Sequence, residues 1–216
     1  MKILIANLGS TSFKYRLFDV SAETDTSGDE RELARGGVER IGSQESRVYA
    51  SLDKEAAQVN QIETIQPIPD HGVALEAAIT QLTAEGGPLS SIADVAAIGF
   101  KAVHGGKAGG VVRVNDAVLD AMEEMADVAP AHNPPYVKAM KQLAERFPNV
   151  PLIAAFETGF HSTIPERNAR YAVPTEWLEK HLVRRWGFHG ASHRFIAERL
   201  TEIMEQRPLR AVQCHL

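Results

Sequence analysis

A single cysteine, Cys214, stands among the 216 residues. No internal disulfide can form, which fits a reducing compartment. Long apolar runs are missing too: no stretch approaches the roughly 20 residues that a bilayer-spanning helix needs. The apolar opening Met1–Leu8 is short and no small-residue cleavage site follows it, so it does not read as a secretory signal. The expected location is the cytoplasm, without a membrane partner. Basic clusters are equally scarce, and the formal net charge is −5. A protein that grips a phosphate backbone needs a basic face, so nucleic acid is excluded as a partner. There is no repeat and no low-complexity tract. What is present is ordinary for a globular chain, with 44% hydrophobic and 24% charged residues. The length suffices for a substantial core in one large domain or two small ones.

Lys2–Leu8 is rich in β-branched and long apolar residues and ends at Gly9, as a buried strand does. Phe13–Val20 alternates, with Phe13, Tyr15 and Leu17 on one side and Lys14 and Arg16 on the other, which predicts a second strand antiparallel to the first. Between them, Gly9-Ser10-Thr11-Ser12 makes a turn. Further strands are expected over Ala34–Arg40, Val48–Leu52 and Val59–Ile65, with the acidic Ser21–Glu32 stretch a surface loop. From Asp70 the period lengthens: Val73, Leu75, Ala78 and Leu82 fit a helix capped by Asp70 and stopped by Gly86-Gly87-Pro88. Strands are expected over Val95–Ala102 and Pro151–Phe156, and helices over Asp116–Met125, Pro135–Phe147, Thr175–Leu182 and His193–Met204. Leu209–Leu216 begins as a strand. Strands followed by alternating helices and strands indicate an α/β protein.

Five loops carry candidate chemistry. Asn7-Leu8-Gly9-Ser10-Thr11-Ser12-Phe13-Lys14 combines a tight glycine turn with hydroxyls, an amide and a lysine, all able to donate to a phosphate. An ordinary polar hairpin turn would use the same residues. In Gly99-Phe100-Lys101-Ala102-Val103-His104-Gly105-Gly106 a cation leaves a strand beside a Gly-Gly turn, where it can hold an anionic substrate. Taken alone, a solvated lysine and a turn histidine are the plainer reading. Ala129-Pro130-Ala131-His132-Asn133-Pro134-Pro135 fixes the backbone ahead of a helix and so holds His132 and Asn133 stiffly. A helix entry capped by Asn133 accounts for everything there but His132. In Phe156-Glu157-Thr158-Gly159 an acid ends a strand, where α/β proteins place metal or substrate. Trp186-Gly187-Phe188-His189-Gly190-Ala191-Ser192-His193 opens a helix, whose free amides favour anions. His189 and His193 also have the spacing of a zinc pair, but no third ligand completes it.

The segments NLGSTSFK, GFKAVHGG, AHNPP, FETGFHSTIP and RRWGFHGASH occur in the order and approximate spacing seen in acetate kinase and its propionate and butyrate kinase relatives. The chain resembles that family along essentially its whole length. The resemblance implies an α/β, ribonuclease-H-like (actin-like ATPase) domain with a mixed sheet and flanking helices over residues 1–155. It places the start of a second similar domain over 156–216. It also implies phosphoryl transfer between ATP and a small carboxylate, with Mg²⁺, and a homodimer as is usual in the family. Residue by residue, Asn7, Ser10, Ser12 and Lys14 match the first phosphate loop. His132 and His189 match histidines at the phosphoryl group, and Val103 and Phe188 match the hydrophobic pocket for the acyl group. Glu157 falls where the family has an aspartate involved with magnesium, with Asn7 a second candidate for the metal. Lys101 falls where it has an essential arginine, and Ala131 where the acetate enzymes have leucine.

Three of these are departures. Lysine lacks the planar fork of arginine. Glutamate adds a methylene to aspartate, and shifts of about 1 Å cost on the order of 100-fold in rate. Alanine widens the acyl pocket. Cys214-His215-Leu216 matches the start of the family's next phosphate loop, and the adenosine-binding region lies beyond that point. The expectation is that the chain carries the substrate-side half and lacks most of the nucleotide-binding half. A non-catalytic binding or scaffolding role in the same fold is the alternative.

Overall fold

The computed structural model describes residues 1–20, 30–54, 58–205 and 210–215. Alternation along the first two strands becomes alternation of burial. In β1 (Lys2–Leu8) the side chains of Leu4, Ala6 and Leu8 are buried, and in β2 (Ser12–Asp19) those of Phe13, Tyr15 and Leu17. The two pair antiparallel, Leu8 opposite Phe13. β3 (Arg31–Glu39), β4 (Ser46–Lys54) and β5 (Gln58–Gln66) continue as an antiparallel meander. On the other side of β1, β6 (Val95–Ala102) and β8 (Leu152–Phe156) run parallel to it. The short β7 (Val111–Arg113) closes that edge antiparallel to β8, giving the order β5-β4-β3-β2-β1-β6-β8-β7.

One face of this mixed sheet is covered by helices. α1 (His71–Leu82) packs Ala74, Leu75, Ala78 and Leu82 over β2, β3 and β4, and its Asp70 cap accepts from the Val73 amide at 2.9 Å. α2 (Asp116–Glu124) and α3 (Asn133–Arg146) pack on each other and α3 on α1, burying Met122, Tyr136, Met140 and Leu143. Parallel strands β1, β6 and β8 all end at the same edge of the sheet. The loops after them therefore converge, as they do at ligand crevices of open α/β sheets. Beyond β8 the chain forms α4 (Glu166–Ala169), α5 (Thr175–His181) and α6 (Gly190–Met204).

Some expectations are corrected. β3 begins at Arg31 rather than Ala34, because its partner β2 runs on to Asp19 and pairing carries the charged residues with it. The loop expected over Ser21–Glu32 falls largely on residues 21–29, outside the described residues, and Arg31 and Glu32 belong to the strand. α6 begins at Gly190, three residues before His193. The strand expected over Leu209–Leu216 is not formed by Arg210–His215. That segment is tied to α6 by side chains instead, Gln213 donating to the His193 carbonyl at 2.9 Å and Ser192 Oγ lying 2.8 Å from His215 Nδ1.

Candidate active site

The β1–β2 turn is held from two sides. Tyr136 of α3 accepts from the Leu8 amide at 3.1 Å and donates to Asn7 Oδ1 at 3.1 Å. Its burial raises the phenol pKa, so the hydroxyl keeps the proton that it donates. His71, at the start of α1, donates from Nε2 to the Gly9 carbonyl at 2.9 Å. The turn is thus anchored before any ligand arrives, and its hydroxyls bond to none of the described residues.

Beside it lies a cavity of about 400 Å³. Asn7, Ser10, Ser12 and Lys14 line it from the hairpin, and Lys101 and Val103 from the end of β6. Ala131 and His132 close it from the entry to α3. Two ammonium groups and an imidazole face it, and among the described residues no carboxylate lines it. His132 occupies the cap position of α3 but makes no side-chain cap bond, so its ring is not committed to the helix. Asn133 does not cap the helix either. It is buried and gives one N–H each to the carbonyls of His104 and Met122, both at 2.7 Å, joining the β6 loop to the end of α2.

Glu157 follows β8 and is buried with one carboxylate oxygen, Oε1, lacking a hydrogen-bond partner among the described residues. That oxygen lies 3.9 Å from Lys101 Nζ, so the two residues that depart from the resemblance face each other. The backbone of Glu157 is fixed from both directions, its amide donating to Ala102 and its carbonyl accepting from Gly190, each at 2.9 Å. A Cβ on Gly190 would collide with that carbonyl.

Phe188 and His189 stand apart from the cavity lining. Phe188 is half exposed and its ring lies 5.8 Å from that of His104. His189 has a left-handed backbone (φ 56°) at the head of α6, and its ring stacks on His215 at 4.3 Å. His193 takes a bond from Gln213 at 3.2 Å. Among the described residues no group of three His, Cys, Asp or Glu could hold a metal ion, which leaves the zinc-pair spacing without a site. Two positioning residues escaped the sequence reading. Tyr136 looked like any core aromatic on a helix face. His104 is fully buried, its Nδ1 accepting from the Gly106 amide at 3.0 Å and its ring set edge-on against Trp186 at 4.7 Å.

This architecture is the actin-like ATPase fold. The solved acetate kinase of Porphyromonas gingivalis matches it with a TM-score of 0.79 at 32% identity, over 94% of this chain and 49% of that one. A propionate kinase from Francisella tularensis subsp. tularensis SCHU S4 matches with a TM-score of 0.79 at 28% identity, over 95% and 50%. The model of the acetokinase family matches residues 2–216, and the chain belongs to that family. Acetate kinase of Carboxydothermus hydrogenoformans is 39% identical over all of this chain and 52% of its own length. That of Alkaliphilus metalliredigens is 40% identical over all of this chain and 53% of its own. The chain spans about half the length of these curated relatives. Among the described residues no helix is long and apolar enough to cross a membrane.

Proposed function

We propose that this chain supplies the carboxylate- and phosphoryl-holding half of an acetate kinase-type phosphotransferase. In the reaction a carboxylate oxygen of a small acid attacks the γ-phosphorus of ATP. The bond from that phosphorus to the β–γ bridging oxygen breaks, and acyl phosphate and ADP result. The nucleophile is already an anion, so no base is required. The barrier lies in bringing two anions together and in charge on the equatorial oxygens. One observation carries the reading: a cavity faced by Lys14, Lys101 and His132 with no carboxylate in its lining.

In this reading Ser10 and Ser12 donate to phosphoryl oxygens, with Asn7 positioned by Tyr136. Lys101 and His132 neutralise the transferring group, and His189 reaches it when the 186–189 loop moves toward the cavity. Val103 and Ala131 meet the acyl chain, with Phe188 arriving from the same loop. The unpartnered, buried Oε1 of Glu157 suits Mg²⁺, which takes one or two protein oxygens and otherwise water and phosphate oxygens. Asn7 Oδ1 is the second candidate ligand. When bound, the ion would offset charge on the β- and γ-phosphates. Residues 1–155 form the first domain in this reading and 156–216 the start of the second, in a cytoplasmic enzyme that pairs with a second copy of itself.

Binding one substrate without closing the site leaves the reaction open to water, so this chain alone turns nothing over. A coupled assay for ADP release with ATP and acetate tests this division of labour, with no rate above background expected. Acetate-dependent turnover that follows the protein through purification would overturn it.

A further inference from the structure

A second cavity, of about 560 Å³, shares no lining residue with the first. It lies between the glycine-rich loop that joins β6 to β7 and the segment around Arg184, and Lys107, Gly109, Gly110 and Arg184 all face it. Gly106 (φ 56°) and Gly110 (φ 76°) hold the left-handed conformation that glycine takes without strain. The amides of Lys107, Gly109 and Gly110 donate to no acceptor among the described residues, and the space where a Cβ would stand on Gly109 or Gly110 is open.

The charges are equally uncommitted. Neither Lys107 nor Arg184 forms a salt bridge among the described residues, and no carboxylate lines the cavity. Arg184 Nε is buried without an acceptor among the described residues, while its guanidinium lies over the Trp186 ring at 5.1 Å. The acid it influences, Glu166, is exposed and already paired with Arg170. Leu178 and Leu182 give the cavity an apolar wall beside Trp186.

We propose that this cavity is a second oxyanion site, one that takes a phosphate group carried on a small organic body. Two cations and several free amides suit a dianion with three oxygens better than a carboxylate. The apolar wall receives the rest of the ligand. The site is independent of the phosphoryl-transfer reading, since it uses none of the same residues.

Amide and indole NMR of the chain, titrated with inorganic phosphate and with phenyl phosphate, tests the proposal. Saturable shifts are expected at Gly109, Gly110 and the Trp186 indole, with phenyl phosphate binding several-fold tighter than inorganic phosphate. Arg184→Gln should weaken those shifts about tenfold, the usual scale for one charge-assisted hydrogen bond, and leave shifts at Ser10 and Ser12 unchanged. Because Arg184 also packs on Trp186, Lys107→Gln is the second variant. Its side chain is exposed, and the same weakening is expected without loss of fold. Shifts confined to Ser10 and Ser12, or Gly109 shifts that survive both substitutions, would overturn the proposal.

Discussion

The chain up to Phe156 and the chain after it are held in different ways. Of the buried apolar residues among those described, all but Ala169 lie at or before Phe156, and all of these except Met125 and Ala129 join one continuous core. After Glu157 most apolar side chains are only partly buried or exposed: Phe195 is 68% exposed, and α6 buries only Gly190. That second region is attached by point contacts, such as the Glu157 amide donating to the Ala102 carbonyl and the His104–Trp186 ring contact. The difference teaches where the site is rigid. The hairpin, Lys101 and the entry to α3 stand on a packed scaffold. Phe188 and His189 stand on a segment that buries little within this chain, which spans about half the length of its curated relatives.

The largest effect should separate the two regions outright. Phe13→Ala, in the core, should cost roughly 3–5 kcal/mol in urea unfolding. Phe195→Ala should stay within about 0.5 kcal/mol, as exposed substitutions do. Equal costs would abolish the comparison. Next comes the contact that crosses the boundary, Lys101 with Glu157. Lys101→Arg alone should crowd the site, and Glu157→Asp alone should leave a gap. The double substitution should bind phosphate better than the two single changes predict, by about 0.5–3 kcal/mol of interaction energy. Simple additivity would mean that the two side chains act independently.

A smaller effect concerns the acyl side. With Ala131 and Val103 in the lining and Phe188 outside it, propionate or butyrate should bind several-fold better than acetate, at about 0.8 kcal/mol per buried methylene. A calorimetric titration showing a strong preference for acetate would place a closer wall there.

The smallest effect is on stability against pH. Burial holds the His104 imidazole below its ordinary pKa, so the folded state keeps it neutral. As pH falls, the unfolded chain takes up that proton first. This part of the stability is complete above about pH 6.5 and declines below it, until the folded state protonates too. His104→Gln should flatten that acid slope relative to the parent chain. An unchanged slope would show that His104 titrates as it does in water.

Much of this was legible in the sequence, for physical reasons that differ by element. The strands over Lys2–Leu8 and Val95–Ala102 have the expected bounds, because an apolar run closed by a turn leaves little choice of register. Asp70 caps α1 as its type and spacing suggest. The candidate residues of the hairpin, of β6 and of the α3 entry do meet around one cavity. β7 was not legible, since three residues carry no period and the strand exists only because β8 offers an edge. Tyr136 and His104 were hidden because their roles rest on partners far away in the sequence. Only the fold reveals that Tyr136 reaches Leu8 and Asn7, or that His104 meets Trp186.

The claim on which the rest depends is that the hairpin, Lys101 and His132 together form an oxyanion site in this chain. Amide NMR during titration with acetyl phosphate tests it most directly. Saturable shifts are expected at Ser10, Ser12 and His132, weakened about tenfold by Lys101→Gln, as loss of one charge-assisted contact implies. Shifts absent from the hairpin, or equally strong after Lys101→Gln, would contradict it.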